Sequence, residues 1–114
     1  MRVLVCGGRD YADRMKMKEI LDDLHVKTPI TCLIQGSARG ADRLAKNWAF
    51  FNQIVCEEYA ASWEEYGKAA GHMRNAKMLV EGKPDIVIAF PGGKGTADMV
   101  RKAKTANVKT LEVY

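Results

Sequence analysis

The sequence predicts an α/β domain: a three-layer, Rossmann-like parallel sheet of about five strands with helices on both faces. Three observations carry this expectation. Short aliphatic runs alternate with amphipathic stretches along the 114 residues, the order expected of right-handed parallel crossovers. No repeat, linker or low-complexity stretch interrupts them. Glycine-rich segments follow several strand ends, and in such sheets ligands bind outside the carboxyl ends of the strands.

Arg2–Cys6 is the first strand, closed by Gly7-Gly8-Arg9-Asp10. A helix follows from Asp13 to His25, with Met17, Ile20, Leu21 and Leu24 on one stripe. Thr28-Pro29 breaks it, and Ile30–Gln35 is the second strand. Gly36-Ser37-Ala38-Arg39-Gly40 leads into a helix over Ala41–Phe51 with Leu44, Ala45 and Trp48 on its apolar face. Gln53–Tyr59 is the third strand, and helical spacing returns from Glu64 to Glu81 with an irregularity expected at Gly71. Pro84 ends that segment. Asp85–Phe90 is the fourth strand, Gly95–Ala106 the last helix and Lys109–Val113 a closing strand.

Length and composition bound the function. Residues 1–114 suffice for one core and are expected as a single domain. A hydrophobic content of 47% beside 28% charged residues is that of a globular protein. No apolar run approaches the roughly 20 residues of a membrane span, and Met1–Gly8 is interrupted by glycine too early for a signal peptide, so a cytoplasmic location is expected. Cys6, Cys32 and Cys56 show no CxxC spacing and fall in or beside apolar strands, as reduced buried thiols do. His25 and His72 lack ligand spacing; neither a metal nor a cofactor is expected. The net charge of +4 suits an anionic small molecule. Its basic residues are dispersed over helices and not interleaved with aromatics, which argues against nucleic acid.

The fourth strand carries the sharpest signal. Val87-Ile88-Ala89-Phe90 runs straight into Pro91-Gly92-Gly93-Lys94-Gly95-Thr96-Ala97-Asp98. Glycines there let several N–H groups point into one concavity. Thr96 is expected to cap the next helix, whose N-terminus carries partial positive charge. The expected guest is a phosphate on the N–H groups of Gly92, Gly93, Gly95 and Thr96. No Gly-Lys-Ser/Thr follows, so this is not a Walker A loop, and ATP hydrolysis of that type is not expected.

Three further segments join it. Gly7-Gly8 permits close approach, Arg9 reaches a phosphate or ribose, and Asp10 orients Arg9 or takes a ribose hydroxyl. This segment lacks the full GxGxxG spacing. Gly36, Ser37, Arg39 and Gly40 supply a hydroxyl, a cation and backbone near a helix start, while Asp42 in that first turn answers the helix dipole. Ser62 with Glu65 fits a capping box. Trp63 and Tyr66 read as packing more readily than as a base-stacking platform. Arg74 stands out as a charge flanked by Met73, Ala76 and Met78.

Together these segments resemble the SLOG superfamily, which includes Smf/DprA and LOG-type proteins, and most closely its small YspA/YpsA-related branch. The matching pieces are Gly7-Gly8-Arg9-Asp10-Tyr11, Gly36-Ser37-Ala38-Arg39-Gly40-Ala41-Asp42, Trp63-x-x-Tyr66-Gly67-Lys68, Gly71-x-x-Arg74-Asn75-x-x-Met78 and Ala89-Phe90-Pro91-Gly92-Gly93-x-Gly95-Thr96. The resemblance covers nearly the whole chain. It implies a Rossmann-like sheet that binds nucleotides or nucleotide-derived ligands such as ADP-ribose or NAD derivatives, as sensors do, in bacteria or their phages. It also implies homodimers or larger assemblies, for which Trp48, Phe50 and Phe51 crowd one helix end.

LOG-type relatives are phosphoribohydrolases carrying Pro-Gly-Gly-x-Gly-Thr-x-x-Glu and an Arg-x-x-x-Met segment. Arg74 and Met78 match the latter, but Met99 stands at the glutamate position. Asp98 beside it is rotated by about 100° around the helix. The favoured reading is therefore a binding or sensor domain. The alternative is an N-glycosidase using Arg74 and Asp98, with Asp10 or Glu65 as other carboxylate sources, and the second alternative a DNA-associated protein.

Overall fold

The computed structural model describes residues Met1–Tyr114. Five strands, β1 (Arg2–Cys6), β2 (Cys32–Gln35), β3 (Val55–Glu58), β4 (Ile86–Ala89) and β5 (Lys109–Glu112), form one parallel sheet in the order β3-β2-β1-β4-β5. The helices are α1 (Arg14–Lys27), α2 (Ala41–Phe51), α3 (Trp63–Tyr66), α4 (Ala70–Gly82) and α5 (Lys94–Thr105), with a single 3-10 turn at Gly67–Ala69 between α3 and α4. The predicted fold class is the one observed. Strand order reverses beside β1, and in such sheets the crevice for a ligand lies at this point of the carboxyl edge.

Strand pleating divides the core in two. Val3 and Val5 of β1, Leu33 of β2, and Ile86, Ile88 and Phe90 at β4 point to one face, where Met17 and Leu21 of α1 and Ala45, Trp48 and Ala49 of α2 cover them. Leu4, Cys6, Ile34, Val87 and Ala89 point to the other, against Met78 of α4 and Met99 and Ala103 of α5. Continuous aliphatic runs are what strands buried on both faces require. No helix is long and apolar enough to cross a membrane.

Three local expectations are corrected. The break in the helical segment falls at Gly67, which adopts φ +54°, and not at Gly71, which lies inside α4. Ser62 is the N-cap of α3 but makes no side-chain cap bond, so the capping box does not form. Helix α5 begins at Lys94 with Gly93 as its N-cap, which places Thr96 within the first turn instead of capping it. Trp48 belongs to the core and donates from Nε1 to Asp22 at 2.8 Å, whereas Phe50 and Phe51 point outward.

Candidate functional site

The crevice is framed by backbone packed on backbone. Gly8 donates its N–H to Pro91 O at 2.9 Å, and Ala41 donates to Gly8 O at 3.1 Å, so the loops after β1 and β4 and the start of α2 are tied together. Only glycine allows this approach. A Cβ on Gly92 would collide with Thr96 Oγ1 and sit 2.6 Å from Gly8 N, and one on Gly40, at φ +75°, would strike the carbonyls of Gly8 and Arg9.

Above this seam lies a cleft of about 370 Å³. Gly7 and Gly8 form its floor, Gly93, Gly95 and Thr96 one wall, Ala38 and Asp42 the opposite wall. Gly71, His72, Arg74 and Asn75 of α4 close it with Trp63, Lys68 and Arg9. The first N–H to bond within α5 is that of Ala97, to Gly93 O. The N–H groups of Lys94, Gly95 and Thr96 have no intrahelical acceptor, as at any helix start. A Cβ on Gly93 or Gly95 would meet nothing within 4 Å, so no protein atom requires these two glycines.

A second cavity adjoins the first and shares Arg9, Ala38, Trp63 and Arg74 with it; Gly36, Ser37 and Arg39 line it. The Arg9 guanidinium sits 5.3 Å from the Trp63 ring centroid, a cation–π contact between the two compartments. Arg74 is pinned from three directions. Its Nη1 donates to Gly36 O, its Nε donates to Asn75 Oδ1 at 3.0 Å, and its guanidinium lies against the Cα of Gly36, where a Cβ would displace it. Burial pulls Arg74 down from its ordinary value, Asp42 raises it again and Arg9 lowers it, and an arginine so placed keeps its charge.

Asp42 was read from the sequence as a helix-dipole residue only. The structure makes it the one carboxylate lining the cleft, 6% exposed. It accepts from Ala38 N–H at 3.2 Å. Burial pushes its carboxyl above the usual range, against the opposing pull of the Ala38 N–H and Arg74. Cys6 at the cleft floor is driven up to about 12 by burial and by Asp42, Arg74 opposing, and so stays a thiol.

Asp98 is placed otherwise than a reacting carboxylate. It is 1% exposed, does not itself line the cleft and sits in a cage of donors: Lys102 Nζ at 2.5 Å, Asn75 Nδ2 at 3.1 Å, His72 Nδ1 at 2.9 Å and Arg101. Burial would raise it, but the bonds from Lys102, Asn75 and His72 outweigh burial and hold it down at about 2. Met99, at the position of the LOG-type glutamate, is fully buried in the core.

Of the residues singled out in the sequence, Gly7, Gly8, Arg9, Arg74, Gly93, Gly95 and Thr96 meet in the main cleft. Gly36, Ser37 and Arg39 flank it. Gly40, Pro91 and Gly92 build the seam beneath, and Lys94 and Asp98 line neither cavity. Asp10 does not orient Arg9; it is nearly fully exposed and faces Arg39 at 3.6 Å. Lys68, Gly71, His72 and Asn75 lie in matching motifs, but nothing local marks them as wall residues.

Two comparisons bear on this architecture. A protein-family profile described as the YspA, cpYpsA-related SLOG family matches residues 1–66. A relative, the Gene 61 protein of Mycobacterium phage D29, is 37% identical over 119 residues, spanning 96% of this chain and 94% of that protein. The match takes in the β1 and β2 loops with their glycines and Asp42, and the relative extends it over α4 and the β4 loop. The chain belongs to the YspA, cpYpsA-related SLOG family.

Proposed function

We propose that this protein is a sensor or binding domain for a nucleotide or nucleotide-derived ligand, held by its phosphate in the cleft that α5, α4 and the start of α2 enclose. One observation carries the reading. The unpartnered N–H groups at the start of α5 open into a cleft that also holds Arg9, Lys68 and Arg74, beside glycines that no protein atom requires. Oriented amides at a helix start with converging cations favour a multivalent oxyanion. Calorimetric titration with ADP-ribose, NAD and AMP tests it, together with the melting temperature. Binding at 100 times Kd adds about 2.7 kcal/mol of stability; no heat and no shift with any of the three ends the proposal.

A second reading, N-glycosidic hydrolysis of such a ligand, is favoured by Arg74 in the cleft and by His72, which lines it with Nδ1 2.9 Å from Asp98. Asp98 then acts as a positioning residue through His72. Release of free base from a nucleotide panel, abolished in His72→Ala, supports turnover; a panel left intact by the wild type confines the protein to binding. Pairing of two copies through Phe50 and Phe51, which are about four-fifths exposed, is proposed separately. Light scattering of Phe50→Ser/Phe51→Ser against wild type tests it, and a monomeric wild type removes it.

A further inference from the structure

The main cleft is rich in donors. Amides at the start of α5, Arg9, Lys68 and Arg74 all present hydrogens or positive charge, and Asn75 spends its amide NH₂ on Gly95 O and Asp98. Against this stands a single acidic side chain. Asp42 is nearly buried, yet it borders the open cleft. It accepts from Ala38 N–H at 3.2 Å and is also held by the backbone of Gly36, while Arg74 and Arg9 act on it through space. A carboxylate in a site for anions repels the phosphate unless some other part of the guest gives it a hydrogen.

The topology says where that part lies. Asp42 belongs to the first turn of α2, following β2, whereas the unpartnered amides begin α5, following β4. Both helix starts rest on the loop after β1, Ala41 through its N–H to Gly8 O and the α5 loop through the Gly8 N–H to Pro91 O, and from there they line opposite walls of the cleft. A guest reaching from one wall to the other therefore carries its charge at the α5 end and a hydrogen-bond donor at the Asp42 end.

We infer that Asp42 is a specificity-determining residue that accepts hydrogen bonds from the sugar hydroxyls of a phosphorylated ribose, so that the cleft selects ribonucleotide-type ligands over deoxy analogues and bare polyphosphates. The inference rests on the phosphate reading above and deepens it. Asp10, the residue expected from the sequence to take a ribose hydroxyl, lies in solvent beside Arg39; Asp42 occupies the position that role needs.

The test measures AMP, 2′,3′-dideoxy-AMP and pyrophosphate by calorimetry on wild type, Asp42→Asn and Asp42→Ala, each checked for an unchanged circular dichroism spectrum. Hydrogen bonds to a charged acceptor set the expected preference for AMP over its dideoxy analogue at about 10- to 100-fold in wild type. That ratio falls toward unity in Asp42→Ala and partway in Asp42→Asn, while pyrophosphate binds the variants no more weakly than wild type. Should Asp42→Ala fail to fold, the shape-conserving Asp42→Asn decides alone. A dideoxy preference that survives both substitutions overturns the inference, as does equal wild-type affinity for the two nucleotides; pyrophosphate binding in either case leaves the phosphate reading standing. If pyrophosphate and both nucleotides all fail to bind, the two proposals fall together.

Discussion

The seam under the cleft and the wall above it are both built on glycine, for opposite reasons. In the seam, Gly40 and Gly92 are pressed against backbone of the β1 loop, and any side chain there would strike it. In the wall, Gly93 and Gly95 face open space. A helix gains stability when a first-turn glycine is replaced by alanine, so Gly95 is a position where the free protein is less stable than it could be. Gly36 is a third kind, crowded only by the end of the Arg74 side chain and by no backbone. Crowding by backbone marks a framework position, whereas emptiness beside oriented amides marks one that the proposed ligand would need clear.

Substitutions at these positions break or sharpen the contrast. The largest effect is expected for Gly40→Ala, where positive φ and backbone collision combine; it should lose more than about 2 kcal/mol of stability by urea denaturation. A loss below half that figure would mean the seam yields easily. Next comes acid, acting on the α4–α5 side of the frame. Asp98 is held below its ordinary 3.8 at about 2, so its contribution, on the order of 2 kcal/mol, is complete above the unfolded value. It drains as pH falls from about 4 to 2, and Asp98→Asn should flatten that limb of the stability curve. A variant with the wild-type slope there would show that other carboxylates govern acid unfolding.

Gly36→Ala is expected to leave stability within about 1 kcal/mol while pushing Arg74 aside, so that nucleotide affinity falls about tenfold. Equal affinity in calorimetry would remove Arg74 from phosphate binding. The smallest effect has the most diagnostic sign. Gly95→Ala should raise stability by about 0.5–1 kcal/mol and weaken the ligand. A change that stabilises the chain and leaves binding untouched would erase the distinction between seam and wall.

Much of the architecture could be read beforehand because strands buried on both faces must be aliphatic without interruption. Val87-Ile88-Ala89-Phe90 and Val3-Leu4-Val5 satisfied that demand and fell in β4 and β1. Where expectation erred, two local solutions competed. Gly67 and Gly71 are equal candidates for a helix break by residue type. The left-handed backbone falls to Gly67, while Gly71 sits under the Trp63 ring, where a Cβ would be 3.3 Å from it. Thr96 suited a cap by type, but Gly93 took that place and Thr96 Oγ1 turned to Gly92. The floor and α5 wall of the cleft were visible as motifs. Asp42 was not, because its importance comes from facing Arg74 across 32 residues of chain, a relation no local spacing encodes. Asp98 erred in the other direction: adjacency to Met99 suggested a reacting group, and four neighbouring donors turn it inward.

That inward turn has a mechanical consequence. Asn75 holds Gly95 O and Asp98 at once, and His72, Arg101 and Lys102 close on the same carboxylate, so α4 and α5 are bolted to each other next to the unpartnered amides of α5. Neither helix can swing without tearing a desolvated charge from its partners. Trp63–Ala69, by contrast, contributes no buried residue to the core, and yet Trp63 and Lys68 border the opening. On the proposed function, flexing as a ligand enters and leaves falls to this short stretch, whose amides should exchange hydrogen fastest in the free protein and slow most once a nucleotide fills the cleft.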